Sequence, residues 1–155
     1  MILPGNKAPD INLPDLDGMT FQLREALAQG PVVLAFFKIS CPTCQMTFPY
    51  LQRLVDAQTA GAQLIAISQD SEEDSREFQQ RLGISMRTLI DARPLYAASN
   101  AYGISSVPSL FVVECDGTIS AAADGFNRAA IEDIGHLFGA VPFRETDHVP
   151  ALRPG

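Results

Sequence analysis

Six consecutive apolar residues, Val32-Val33-Leu34-Ala35-Phe36-Phe37, follow Gly30-Pro31 and lead within a few positions to Cys41-Pro42-Thr43-Cys44. The run is too short for a typical helix, and its unbroken apolar character predicts a strand buried on both faces rather than one with a wet side. Such a strand needs an apolar layer above and another below, so the rest of the chain has to supply covering helices. The cysteine pair then falls where the strand ends and the next helix begins.

The remaining pattern agrees with a sheet sandwiched by helices. Asp10 to Leu23 alternates around Asp17-Gly18 and predicts an N-terminal β-hairpin. From Pro42 to about Ala60, Phe48, Leu51, Leu54 and Val55 recur at helical spacing until Gly61. Leu64 to Ile67 reads as a strand. Asp70 and Glu73 then have capping-box spacing for a helix running to about Leu82, before Gly83. A strand near Met86 to Ile90 and a short helix from about Arg93 to Tyr102, with Asp91 as its candidate cap, come next. Leu110 to Val113 and Ile119 to Ala123 flank Asp116-Gly117 and predict antiparallel neighbours. Asn127 caps a last helix whose Ile131, Ile134, Leu137 and Phe138 form one face. The expected fold is α/β, a mixed central sheet flanked by helices, in one domain over residues 1–139. Residues 140–155 form a Pro-rich tail in which Phe143 is the candidate anchor.

Length and charge exclude several classes. A chain of 155 residues, 46% hydrophobic and 19% charged, buries about two-thirds of its unfolded surface in a single core. A net charge of −7, without a Lys/Arg cluster, argues against nucleic acid, whose phosphates require a basic surface. No stretch approaches the length of a membrane span, and Met1 to Asp10 has no apolar run of signal-peptide kind, so a cytoplasmic setting is expected. Three cysteines, two of them in a CxxC, do not make a disulfide framework and point to redox or metal chemistry.

At a strand-to-helix junction the Cys41 sulfur meets the unpaired N–H groups and positive end of the helix, where a thiolate's charge is favoured. Pro42 suits the first helical turn, where its missing donor costs nothing. Three residues is close to one turn, so Cys44 returns to the same side and the two sulfurs are able to bond. Cys41 is thus the candidate attacking sulfur and Cys44 the resolving one, in exchange with a disulfide through a mixed disulfide. The direction stays open. A structural zinc needs about four ligands, and Cys115, His136 and His148 supply no second half-site. Neither metal nor organic cofactor is expected, and Cys115 is read as a strand residue.

The chain resembles the thioredoxin-like superfamily, and within it the TlpA/ResA-type thiol–disulfide oxidoreductases and AhpC/TSA redoxins. The carriers are Asn6-Lys7-Ala8-Pro9-Asp10 with Asp17-Gly18, Phe36-Phe37 before the CxxC, Phe48-Pro49 in the helix and Val107-Pro108-Ser109 before the second hairpin. The resemblance implies a thioredoxin-like fold and a Pro49 that kinks its helix. It also implies a cis Val107–Pro108 bond, with the Val107 backbone free to pair with substrate. Val107, Pro108, Pro42 and Thr43 are accordingly the expected substrate-binding residues. The expected partners are a protein or small-molecule disulfide and an upstream thiol donor, with the protein acting as a reductase.

The departures matter as much. Ser40 stands where many relatives carry tryptophan before the nucleophile. Ala35 and Thr47 replace the Asp and Glu that relatives place near the resolving cysteine, leaving no usual proton acceptor for Cys44. A peroxiredoxin-like thiol peroxidase using Cys41 is the rival reading, because Cys41-Pro42-Thr43 matches many peroxidatic sites. That pattern also needs a threonine three residues before the cysteine and a proline seven before it, and this chain has Lys38 and Leu34. A copper metallochaperone is the third reading, since soft thiolates select Cu(I), with His136 as its weak candidate ligand.

Overall fold

The computed structural model describes residues 1–155. In chain order its elements are β1 (Asn12–Pro14), β2 (Thr20–Gln22), α1 (Leu23–Leu27), β3 (Val32–Phe37), α2 (Pro42–Asp56), β4 (Gln63–Ser68) and α3 (Glu72–Leu82). They continue with β5 (Thr88–Ile90), α4 (Ala97–Ala101), β6 (Ser109–Val113), β7 (Ile119–Asp124), β8 (Phe126–Asn127), α5 (Arg128–Phe138) and β9 (Leu152–Arg153).

Every residue of β3 is buried, and the strand occupies the middle of a sheet ordered β5-β4-β3-β6-β7. β3 runs parallel to β4, and β4 to β5, whereas β6 is antiparallel to both β3 and β7, so the sheet is mixed. Alternation along β3 divides the core into two layers, as the period of two requires. Val33, Ala35 and Phe37 face Phe48, Leu51 and Leu54 of α2, Phe78 of α3 and Ile131, Ile134 and Phe138 of α5. Val32, Leu34 and Phe36 face Ile11, Phe21, Leu23 and Tyr102 on the other side. Phe37 stacks obliquely on Phe48 at 4.5 Å and on Phe78 at 4.7 Å, tying β3 to the helix that carries the cysteines. The N-terminal hairpin (β1–β2) closes around Asp15, whose carboxylate accepts the N–H groups of Asp17 and Met19.

Two helix starts differ from the expected ones. Ser71, not Asp70, caps α3, accepting the Asp74 N–H at 3.1 Å. The capping pattern fits the chain at either residue, and the one-position shift releases the Asp70 carboxylate for another use. α4 is shorter than expected. Asp91, buried and upstream of it, accepts the N–H groups of Ala98 at 3.1 Å and Ser99 at 2.7 Å across an intervening turn.

Residues 140–155 lie back across α2 and α5. Phe143 is buried with its ring 4.9 Å from Tyr50, and Asp147 receives both guanidinium nitrogens of Arg53, at 2.6 and 3.2 Å. That pairing, with the Arg144 N–H, holds the Asp147 carboxyl down at about 2, against an ordinary 3.8. A depressed carboxyl contributes stability above its unfolded value and loses it as pH falls toward its folded one. Backbone amide exchange around Arg144–Val149 is therefore expected to accelerate as pH falls from near 4 to about 2, after correction for intrinsic rates. An Asp147→Asn chain should show that faster exchange already at neutral pH. Equal protection in the two proteins at neutral pH would contradict the anchor.

Candidate active site

The loop after β3 delivers Cys41 to the N-cap of α2, in extended conformation (φ −83°, ψ 114°), with Pro42 opening the helix. The Cys41 Sγ accepts the Cys44 N–H at 3.2 Å and so satisfies one of the helix's orphan donors. Its own S–H donates to the Val107 carbonyl at 3.3 Å. Cys41 is half-buried and Cys44 fully buried, and all three cysteines are free thiols. Cys41 keeps part of its surface exposed, and Cys44 has none.

The loop is clamped from two sides. The Asp70 carboxylate accepts the Ile39 N–H at 2.8 Å, and Gln45 donates its side-chain amide to the Ile39 carbonyl at 2.9 Å. With the peptide at Ile39 held on both faces, the backbone leading into Cys41 has little freedom to swing. Neither clamp was singled out in the sequence as a site residue. The available signal was Ser71-x-x-Asp74, which caps α3 equally well and leaves Asp70 without a task.

Burial pushes the Cys44 thiol well above its ordinary range, and the hydrogen bond with Cys41 and the negative charge of Asp70 act in the same direction. No proton acceptor stands in the places where relatives have one. Ala35 is an apolar core residue, and the buried Thr47 hydroxyl is spent on the Thr43 carbonyl at 2.7 Å. Asp70→Asn separates two roles for this carboxylate, because an amide oxygen still accepts the Ile39 N–H while the charge is gone. If Asp70 acts on Cys44 through its charge, the variant should resolve a mixed disulfide on the order of a few-fold faster. Slower resolution in rapid-quench measurements would instead mark it as a proton acceptor.

The expected substrate-binding residues gather on the same side. Val107–Pro108 is cis, Val107 is half-buried beside Cys41, and Pro108 is buried with its carbonyl accepting the Gly125 N–H at 2.8 Å. Pro42 is exposed. Thr43 is buried and its hydroxyl donates to the Pro154 carbonyl at 2.7 Å, a partner from the tail that sequence reasoning did not anticipate. No group of three His, Cys, Asp or Glu side chains converges to hold a metal ion. Lys38 is exposed at the rim of a hollow it shares with Asp70, Arg93 and Tyr96.

Residues 4–122 match the model of the AhpC/TSA family. The chain is 28% identical over 123 residues to the thiol-disulfide oxidoreductase ResA of Geobacillus thermodenitrificans, covering 78% of this chain and 69% of that protein. It is 31% identical over 132 residues to a candidate peroxiredoxin of Mycobacterium tuberculosis, covering 78% of this chain and 84% of the relative. Among solved structures, the thioredoxin domain of a thiol-disulfide oxidoreductase from Bacteroides vulgatus superposes with a TM-score of 0.77 at 21% identity. That match spans 89% of this chain and 99% of that domain, and establishes a shared thioredoxin-like fold.

Proposed function

The chain belongs to the AhpC/TSA family and is a thiol–disulfide oxidoreductase, and from that premise we propose that Cys41 is its attacking sulfur and Cys44 its resolving one. The observation that carries the assignment is the position of Cys41 Sγ, hydrogen-bonded to the Cys44 N–H at 3.2 Å and to the Val107 carbonyl at 3.3 Å, with Cys44 buried behind it.

The substrates are disulfides. The Cys41 thiolate attacks one sulfur of the substrate disulfide, a Cys41–substrate bond forms, and the other substrate sulfur leaves as a thiolate that takes up a proton. Cys44, once deprotonated, attacks the Cys41 sulfur, and the second substrate thiolate leaves. Two electrons have passed to the substrate and the Cys41–Cys44 bond is closed. An upstream thiol donor reopens it by the same exchange. Val107 and Pro108 flank the incoming disulfide on one side, and Pro42 and Thr43 on the other. We assign the reducing direction, which suits a cytoplasmic setting where thiols are kept reduced. The test is catalysed reduction of insulin by dithiothreitol, followed as turbidity. Catalytic amounts of the protein should accelerate it strongly, and no acceleration would refute the assignment.

Peroxide chemistry at Cys41 is the second reading, favoured by the 31% identity to the mycobacterial candidate peroxiredoxin. Against it, the place seven residues before Cys41 is the buried β3 residue Leu34, and the place three before is the exposed Lys38. If dilute hydrogen peroxide converts Cys41 to a sulfenic acid faster than insulin is reduced, the second reading replaces the first.

A further inference from the structure

The surface beside Cys41 is already in use. β9 pairs antiparallel with β8, in the register Phe126 to Arg153 and Asn127 to Leu152, and the Arg128 N–H donates to the Ala151 carbonyl at 3.0 Å. The segment then continues over the site. The Pro154 carbonyl takes the Thr43 hydroxyl, and Gly155 lies so close to Val107 that a Cβ there would run into the Val107 carbonyl oxygen, the same atom that receives the Cys41 thiol. Gly125 (φ +67°) makes room for this path, since a Cβ on it would overlap the Arg153 carbonyl.

The manner of holding is informative. Leu152, Arg153, Pro154 and Gly155 are all exposed, and apart from the Arg153 guanidinium, which donates to the Met46 sulfur at 3.5 Å, the surface grips main chain and buries no side chain. A few backbone hydrogen bonds without apolar burial make a weakly held segment, one that opens long before the domain does. Upstream, Phe143 and the Arg53–Asp147 pair fix the chain firmly, so the segment stays tethered at high local concentration when it opens. A surface that reads main chain accepts another extended segment in the same place.

Building on the assignment of Cys41 as the attacking sulfur and of Val107 and Thr43 as substrate-binding residues, we infer that the β8 edge extends this surface and that an extended substrate segment meets it already occupied. Residues 151–155 are a displaceable strap that occupies this surface until the substrate chain replaces them. Small disulfides, which need only Cys41, do not compete with the strap.

Two probes separate these cases: a short linear peptide whose central cysteine carries a thionitrobenzoate leaving group, and the small disulfide dithiobis(nitrobenzoate). Two variants open the strap: the Gly155→Val chain of residues 1–155, whose new side chain clashes with Val107, and a chain ending at Pro150. Circular dichroism checks that each retains the fold. The peptide reaction should accelerate about tenfold in the shortened chain and by a smaller factor in Gly155→Val, with the small disulfide changed by less than about twofold. An unchanged peptide rate, with both probes still reacting at Cys41, overturns the strap and leaves the two-cysteine assignment standing. Equal acceleration of both probes overturns the claim that the strap competes with a peptide. A peptide that reacts with no form while the small disulfide reacts at Cys41 overturns the docking surface, and only failure of both probes at Cys41 defeats the assignment on which the inference rests.

Discussion

Cys41→Ser is expected to abolish thiol–disulfide exchange at the CxxC, and Cys44→Ser to take up one substrate molecule and stop. A serine hydroxyl is not a useful nucleophile toward sulfur near neutral pH, so the first variant should lose at least about a thousandfold in rate. The second retains the reactive sulfur at the helix start, where it still accepts the backbone N–H of residue 44. What it lacks is the buried thiol that closes the cycle, so it should accumulate a covalent adduct visible as an added mass on Cys41 and released by dithiothreitol. Both variants are expected to keep the fold, since sulfur-to-oxygen replacement leaves the aromatic packing of Phe37, Phe48 and Phe78 in place, and circular dichroism checks this. Undiminished turnover in Cys44→Ser would show that resolution does not use Cys44.

Resolution of the mixed disulfide is expected to quicken about tenfold per pH unit from about pH 7 to pH 9, roughly a hundredfold in all. The sign follows from the thiol. An ordinary cysteine here would ionise near 9.0, and burial, the largest cause, moves Cys44 well above that. Over this range Cys44 is almost wholly protonated, and each added pH unit multiplies its reactive thiolate by ten. The hydrogen bond and charge of Cys41 no longer act on Cys44 once Cys41 is in the mixed disulfide, but burial, the largest cause, remains and keeps the thiol raised. Rapid-quench measurement of substrate release, starting from preformed mixed disulfide, reads the step directly. A rate that levels off before pH 9 would contradict the raised thiol, meaning that Cys44 ionises within this range or hands its proton to a protein group, with Asp70 first to be examined.

The parts of this architecture that local pattern determines were legible in the sequence. The unbroken apolar run became β3, buried throughout, and Asp116-Gly117 did join antiparallel β6 and β7. Asn127 caps α5 through the Ala130 N–H. The CxxC lies at the helix start because strand, loop and Pro42 leave it nowhere else. What escaped depended on pairings distant along the chain. Asp70 looked like a cap because Ser71 offers the same chemistry one residue later, and only the folded loop brings Ile39 to its carboxylate. The tail showed Phe143 as an anchor, but Arg53–Asp147 spans two segments that no periodicity connects. β9 rests on backbone bonds that exposed side chains do not advertise.

The central claim is that Cys41 and Cys44 form one two-electron couple, and it is tested most directly by equilibrating the protein across a series of thiol–disulfide buffers. Free thiols are then alkylated and the products counted by mass. Cys41 and Cys44 should become protected together in a single step, with Cys115 alkylated independently of them. The midpoint should lie nearer the about −270 mV of thioredoxin than the about −120 mV of a strong oxidant. If Cys41 and Cys44 are never joined to each other at any buffer composition, the two-cysteine mechanism is wrong and one-cysteine peroxide chemistry takes its place.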